Sequence, residues 1–212
     1  MSSDLWTTRA ELYRDSEAHR EGADLELFVQ WATGAGTALD VATGGGHVAR
    51  RLREAGVEVV TSDPAPGMQP DVICRAEHLP FADGAFDVVA CRIAAHHFED
   101  VGAAVAEMAR VSGGLVLVSD NLFVSSEGEK ADRLRDPTHV RNYSEVEWRR
   151  FFAGAGLRIE HAVRLVHSVA FEPWLERTGC VGEEAGRVRA LLADRVEDGR
   201  LALPRIVLNG AK

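Results

Sequence analysis

The chain has 212 residues, 46% hydrophobic and 27% charged, so it can bury a full core, and one domain with at most an appended cap is expected. A formal charge of −9 with no basic run argues against nucleic acid or an anionic membrane as partner, because phosphate binding needs clustered lysine and arginine. Cys74, Cys91 and Cys180 are odd in number and far apart, which suggests neither a disulfide framework nor a metal site. With no apolar run near the ~18 residues of a membrane span, a cytoplasmic protein without signal peptide or anchor is expected.

Residues 3–33 read as two helices. Leu5, Trp6, Leu12 and Tyr13 form one periodic set and Leu25, Phe28 and Val29 another, with Gly22 between them. Residues 1–36 are expected to form an N-terminal helical unit. It is either a packing arm or a lid, with Tyr13, Ser16 and His19 in one neighbourhood and Gly22 as the joint. The core then begins at residue 37. Ala38, Leu39 and Val41 make a short apolar run that stops at Gly44, Gly45 and Gly46, after which Val48, Ala49 and Leu52 recur at helical spacing. This predicts a buried strand, a glycine turn and a helix whose positive dipole end favours an anionic group. Gly44-x-Gly46-x-x-Ala49 fits a dinucleotide fingerprint, with Asp63 near the ~20-residue distance of a ribose-binding acid. A tight strand-to-helix connection without a ligand accounts for the same glycines.

Residues 57–63 read as a second strand, and residues 71–74 as a third. Only about seven residues, three of them proline, lie between these strands, whereas a parallel crossover normally takes ten or more. An extended loop should therefore replace the helix on that face. Residues 86–91 form a fourth strand, followed by His96 and His97. Val101, Val105, Met108 and Val111 mark one helical face, and residues 115–119 a fifth strand. This alternation predicts a doubly wound α/β sheet. Beyond Asp120 come a polar helix to Arg135, the turn Asp136-Pro137, and a helix opened by the capping box Ser144-x-x-Glu147. A long strand over 157–169, two helices and a last strand over 204–208 complete a mostly parallel sheet of seven strands, the last antiparallel. Residues 37–212 are thus expected to be one core with a cap insertion around 121–143.

The motifs, in order, are Leu39-Asp40-Val41-Ala42-Thr43-Gly44-Gly45-Gly46, then Asp63-Pro64, then Ala76-Glu77-His78-Leu79-Pro80-Phe81-Ala82-Asp83-Gly84-Ala85-Phe86-Asp87. Arg92 to Phe98, with the paired histidines, and Arg141-Asn142-Tyr143-Ser144 before a tryptophan-containing helix follow. As a set, over roughly Tyr13 to Leu157, they resemble the class I S-adenosylmethionine-dependent methyltransferases, in the group that includes the ubiquinone/menaquinone C-methyltransferases. The resemblance implies a Rossmann-like fold and S-adenosyl-L-methionine as cofactor. It assigns Ala42, Thr43 and Gly44 to the methionine part through their backbone, and Gly46 to a close approach. Asp63 would take the ribose hydroxyls. Pro64, Ala76 and Glu77 would flank the adenine, and Arg92 would sit near the methionine end. Tyr13 and His19 match an N-terminal lid. Asp40, an acid in a buried strand just before the glycines, suits an ammonium better than a pyrophosphate. Arg75 stands where the family usually carries an acid, and the helix after Asp63 is missing. The cofactor is therefore expected to be more exposed than usual, or covered by a second subunit in a homodimer.

Methyl transfer is an in-line displacement in which alignment supplies most of the acceleration, so a general base is optional and no metal is required. For an acceptor that must lose a proton, His96 and His139 are the catalytic candidates. His97, Arg141 and Tyr143 are candidates for binding a small-molecule methyl acceptor. Capped or hydrogen-bonded histidines, a surface ion pair and a core aromatic are the structural alternatives at these positions. Two other functions share the glycine loop: a nicotinamide-dependent oxidoreductase, and a methyltransferase fold kept as a non-catalytic binding module.

Overall fold

The computed structural model describes residues 5–7 and 20–212, and Tyr13, Ser16 and His19 lie outside that set. The elements from residue 20 onward are α1 (Ala23–Trp31), β1 (Thr37–Val41), α2 (His47–Glu54), β2 (Glu58–Asp63), β3 (Val72–Ile73), β4 (Phe86–Arg92), α3 (Val101–Val111) and β5 (Ser112–Asn121). They continue with α4 (Ser126–Arg135), α5 (Glu145–Gly154), β6 (Arg158–Ala170), α6 (Phe171–Glu176), α7 (Gly182–Leu192), β7 (Val196–Glu197) and β8 (Arg200–Ala211). The sheet order is β3-β2-β1-β4-β5-β8-β6, with the short β7 hydrogen-bonded to β8. β3 through β5 pair in parallel, and β8 runs antiparallel to both β5 and β6. This is the expected Rossmann-like sheet with a reversed last strand. The chain winds from β1 to β3 in one direction and returns to β4 and β5 in the other, which opens a crevice at the carboxyl ends of β1 and β4.

Both faces of the sheet are covered, as the near-continuous apolar runs of its central strands require. Leu39, Val89 and Val116 point to one face, where they meet Val105 and Met108 of α3 and Trp148 and Phe152 of α5. Ala38, Val88 and Leu117 point to the other, where Leu25 and Phe28 of α1 and Val48 and Leu52 of α2 pack against them. Phe28 and Leu25 are fully buried, each worth roughly 1.5–3 kcal/mol of transfer free energy. They dock α1 firmly beside the crevice.

The short connection after β2 holds only a single 3-10 turn, Pro66–Met68. Where a helix would have packed, Ala65 and Met68 are instead covered by Trp6. The approach is close: a Cβ on Gly67 would lie 2.6 Å from the Thr7 Cα, and the Gly67 amide donates to the Thr7 hydroxyl at 3.2 Å.

The far ends of β6 and β8 overrun the rest of the sheet, pairing as far as Ala170 with Arg200. Around them α6, α7 and α4 build a third apolar cluster that includes Ala131, Trp174, Leu175, Val188 and Leu201. Segment 121–143 therefore packs, through Ala131 and Leu134, against residues 171–192. Among the described residues no helix is long and apolar enough to cross a membrane.

Phe28→Ala is expected to destabilise the fold by about 3–5 kcal/mol in urea titration. A loss under about 1 kcal/mol would show that α1 does not depend on this contact.

Candidate functional site

A cavity of about 420 Å³ fills the crevice, within the range of small-molecule sites. Its walls include Ala42, Thr43 and Gly44 after β1, Asp63 and Pro64 after β2, Ala76 and Glu77, and Arg92 and His97 after β4. Two non-glycine residues in its lining are left-handed: Ala42 (φ 54°) after β1 and Ile93 (φ 54°) after β4. For a β-branched residue such as Ile93 this backbone is an outlier, at a cost of about 1–3 kcal/mol. Each is held by hydrogen bonding across the sheet. The Thr43 amide donates to the Ser62 carbonyl at 3.0 Å, and the Ile93 amide to the Ser119 carbonyl at 2.7 Å. Gly46, also left-handed (φ 74°), turns the chain into α2 and is not part of the cavity wall.

Asp40 is 1% exposed and accepts hydrogen bonds from the Thr43 hydroxyl at 2.6 Å and the Ala49 amide at 3.1 Å. Burial pushes its pKa up to about 6, with the charge of Asp63 adding to the rise. Asp63 accepts from the Gly44 amide through one oxygen (3.1 Å) and from the Ala65 amide through the other (2.9 Å). Burial raises its pKa as well. Each carboxylate oxygen has a second lone pair, so Asp63 can still accept from a ligand. Glu77 accepts from the amides of Glu99 and Asp100. Arg75 bridges Glu77 and Glu99 at 3.3 and 3.0 Å, so this unexpected cation belongs to an ion-pair network at the cavity wall.

The guanidinium of Arg92 makes two bonds to Asp24, at 2.7 and 3.0 Å, and a third to the Glu21 carbonyl. It thereby fastens the start of α1 to the end of β4. Ser119 also donates to Asp24, and Arg205 lies 3.6 Å from it. Burial works against the charge of Asp24, but Arg92 and Arg205 outweigh it and lower its pKa.

The histidines gather as the motif suggested, with ring centroids of His96 4.1 Å from His97 and 5.5 Å from His139. His96 Nδ1 lies 2.6 Å from Asp120, whose other oxygen accepts from the His96 amide. Burial disfavours the His96 cation, yet the Asp120 carboxylate prevails and its pKa is raised. Burial and the neighbouring His96 push His97 down to about 3 and lower His139, which meets Glu129 at 3.1 Å. His97 and Ile93 also line a second, smaller cavity, which His96 and His139 border.

Arg141 and Tyr143 line neither cavity. Arg141 pairs with Glu147 and lies over the Tyr143 ring, which packs edge-on against Trp148 and Phe151. Their partners are thus the alternatives raised at sequence level, an ion pair and a core aromatic. Asp24, Asp120 and Arg205 were missed by sequence reasoning. Asp120 had a signal, an acid at the carboxyl end of a buried strand, just as Asp63 ends β2. Asp24 and Arg205 had none, because their partners are distant in sequence.

A profile of the methyltransferase domain family matches residues 39–118, from the core of β1 to β5. The chain is 29% identical over 219 residues to YcgJ, an uncharacterized methyltransferase of Bacillus subtilis (strain 168), covering 92% of this chain and 87% of that protein. It is 36% identical over 94 residues to a demethylmenaquinone methyltransferase of Beutenbergia cavernae, covering 39% of each. Among solved structures, the BH2331 protein of Bacillus halodurans C-125 superposes with a TM-score of 0.78 at 29% identity, covering 90% of this chain and 99% of that one.

Asp40 binds a proton more readily when folded (about 6) than at its reference value of 3.8, so its charge opposes folding at neutral pH. That opposition fades as the pH falls through 6 towards 4. Asp40→Asn keeps an oxygen for Ala49 and is expected to be more stable than the wild type near pH 7, by up to about 3 kcal/mol. Near pH 4 the advantage should vanish. A urea titration at both pH values checks this, and an Asn variant less stable near pH 7 would refute it.

Proposed function

We propose that this chain, which belongs to the class I S-adenosylmethionine-dependent methyltransferases, moves the sulfonium methyl of S-adenosylmethionine to an oxygen, nitrogen or carbon of a small molecule. The observation that carries this reading is the pair of neighbouring cavities that share Ile93 and His97 in their walls, the larger of them of a size to take the cofactor.

The backbone of Ala42, Thr43 and Gly44 holds the methionine carboxylate, helped by the amino end of α2. The ammonium faces Asp40. A cation there relieves the burial that raises the Asp40 pKa, so cofactor binding should draw a proton off this acid below neutral pH. Asp63 takes the ribose hydroxyls, and Pro64, Ala76 and Glu77 flank the adenine. Arg92 acts on the methionine end by anchoring β4 to α1. Trp6 lines the large cavity and meets the His97 ring edge-on at 4.7 Å, which supports a covering role for residues 1–36, Tyr13 and His19 with them.

When bound, the cofactor would supply an electrophilic methyl group to a lone pair of the acceptor and be left as the neutral thioether. The chain's own task is therefore to align the two and to take up the acceptor's proton where one is lost. His96 suits that task best: Asp120 orients its ring, its pKa lies above the ordinary value, and it borders the smaller cavity. His97, whose pKa burial and the neighbouring His96 push well below the ordinary value, is a weaker base and lines both cavities. His139 positions this cluster through Glu129.

Isothermal titration should show S-adenosylhomocysteine binding that Asp63→Ala weakens more than tenfold, matching the ~1.5–3 kcal/mol of a charge-assisted hydrogen bond. A loss under threefold would remove Asp63 from the site. With an acceptor found by screening with methyl-labelled cofactor, kcat/KM should rise with pH along a limb above 6.5, because His96 must be neutral to accept a proton and Asp120 raises its pKa. His96→Gln should abolish the limb and slow transfer by about 10²–10⁴-fold. An unchanged pH profile would exclude His96 as the base.

A further inference from the structure

Among the described residues, Ile93 and His97 are the two that line both cavities. For a methyl group to pass from a molecule in the larger cavity to one entering from the smaller, the reacting atoms must come within about 3–3.5 Å of each other. The transferable group therefore has to be presented at the wall the cavities share. His97 is the polar part of that wall, with its Nδ1 3.1 Å from the Thr138 carbonyl. Ile93 is the apolar part.

Ile93 is held where it stands. Its backbone is left-handed at φ 54°, and its amide donates to the Ser119 carbonyl at 2.7 Å. On one side of it, Arg92 is bound to Asp24 at 2.7 and 3.0 Å. On the other, the chain enters the 3-10 turn Ala95–His97, where the His97 amide donates to the Ala94 carbonyl at 2.9 Å. That turn is fixed in its own right: the His96 amide donates to Asp120, and the His96 carbonyl accepts from the amides of Val140 and Arg141. A β-branched side chain also has few χ1 states open to it. Glycine would make the same left-handed turn without strain. What the isoleucine adds to the turn is rigid apolar bulk in the shared wall.

We propose that Ile93 sets the size of the group this site can transfer: its side chain packs against the sulfonium methyl and leaves no room for a longer alkyl group. A rigid apolar wall discriminates between groups one methylene apart by about 10–200-fold. This inference rests on the larger cavity being the cofactor seat, and it names the end of that seat where the methyl lies.

The test is isothermal titration of the full chain with S-adenosylhomocysteine, which carries no alkyl group at this place, with S-adenosylmethionine, and with S-adenosylethionine, which carries ethyl instead of methyl. The wild type is expected to bind the ethyl compound at least tenfold more weakly than the methyl compound. Ile93→Gly keeps the turn and removes the wall. It should bring the two within threefold of each other, with S-adenosylhomocysteine affinity within threefold of wild type. Ile93→Val should fall between. Val48→Ala widens the larger cavity at a residue outside the smaller one and should leave the preference in place. Circular dichroism and thermal unfolding identify any loss of fold; should Ile93→Gly fail to fold, Ile93→Val carries the test, since losing one methyl must already weaken the preference. Equal binding of the methyl and ethyl compounds by the wild type overturns the proposal. So does a preference that survives in folded Ile93→Gly, or one that Val48→Ala removes equally well. If none of the three compounds binds, the cofactor reading falls and this inference with it; if they bind and Ile93 does not govern the preference, only this inference falls.

Discussion

Asp24 is a carboxylate buried at the start of α1 and shared by groups from three strands: Arg92 at the end of β4, Ser119 in β5 and Arg205 in β8. Little else in the molecule ties so many elements to one point. Removing one partner from such a buried set leaves an uncompensated charge, typically at a cost of ~3–5 kcal/mol. The set anchors α1 against the sheet, fixes the strand end from which Ile93 departs, and places Arg205 under the smaller cavity. Both cavities thus rest on one electrostatic knot.

Above that knot the walls of the crevice are built from costly conformations. Ala42 and Ile93, at the ends of the paired strands β1 and β4, are left-handed in the wall of the large cavity, and the chain there is held by amides, those of Thr43 and Ile93, that donate to carbonyls of the neighbouring strands. Asp40 and Asp63 add two carboxylates whose pKa values burial raises, each satisfied by loop or helix-start groups. An unliganded crevice therefore holds negative charge in need of a cation or hydroxyl donors. An amino acid joined to a nucleoside supplies both. Charge, more than shape, separates this crevice from a generic phosphate site.

The two cavities draw their walls from distant stretches. The truncated connection after β2 leaves Ala65 and Met68 without a helix, and Trp6 occupies that place and touches His97. At the other end, the long β6–β8 pair carries α6 and α7 against α4, so that Trp174 and Arg177 line the smaller cavity together with Arg135 of α4.

Much was legible from sequence. The alternation of apolar runs with helical periods specified the doubly wound sheet, because strands buried on both faces must be continuously apolar. The glycines at 44–46 marked the turn, since left-handed backbone favours residues without Cβ. The spacing between Asp63 and Val72 ruled out a helix by chain length alone. The tertiary structure decided what depends on long-range charge. It took the Arg92 side chain to Asp24, placed Arg141 and Tyr143 against α5 instead of in either cavity, set Asp120 beside His96, and gathered Arg135, Arg177 and Arg205. Periodicity and turn chemistry act between near neighbours and are written in residue order. The pairing of buried charges acts across the fold and exists only once the strands are side by side.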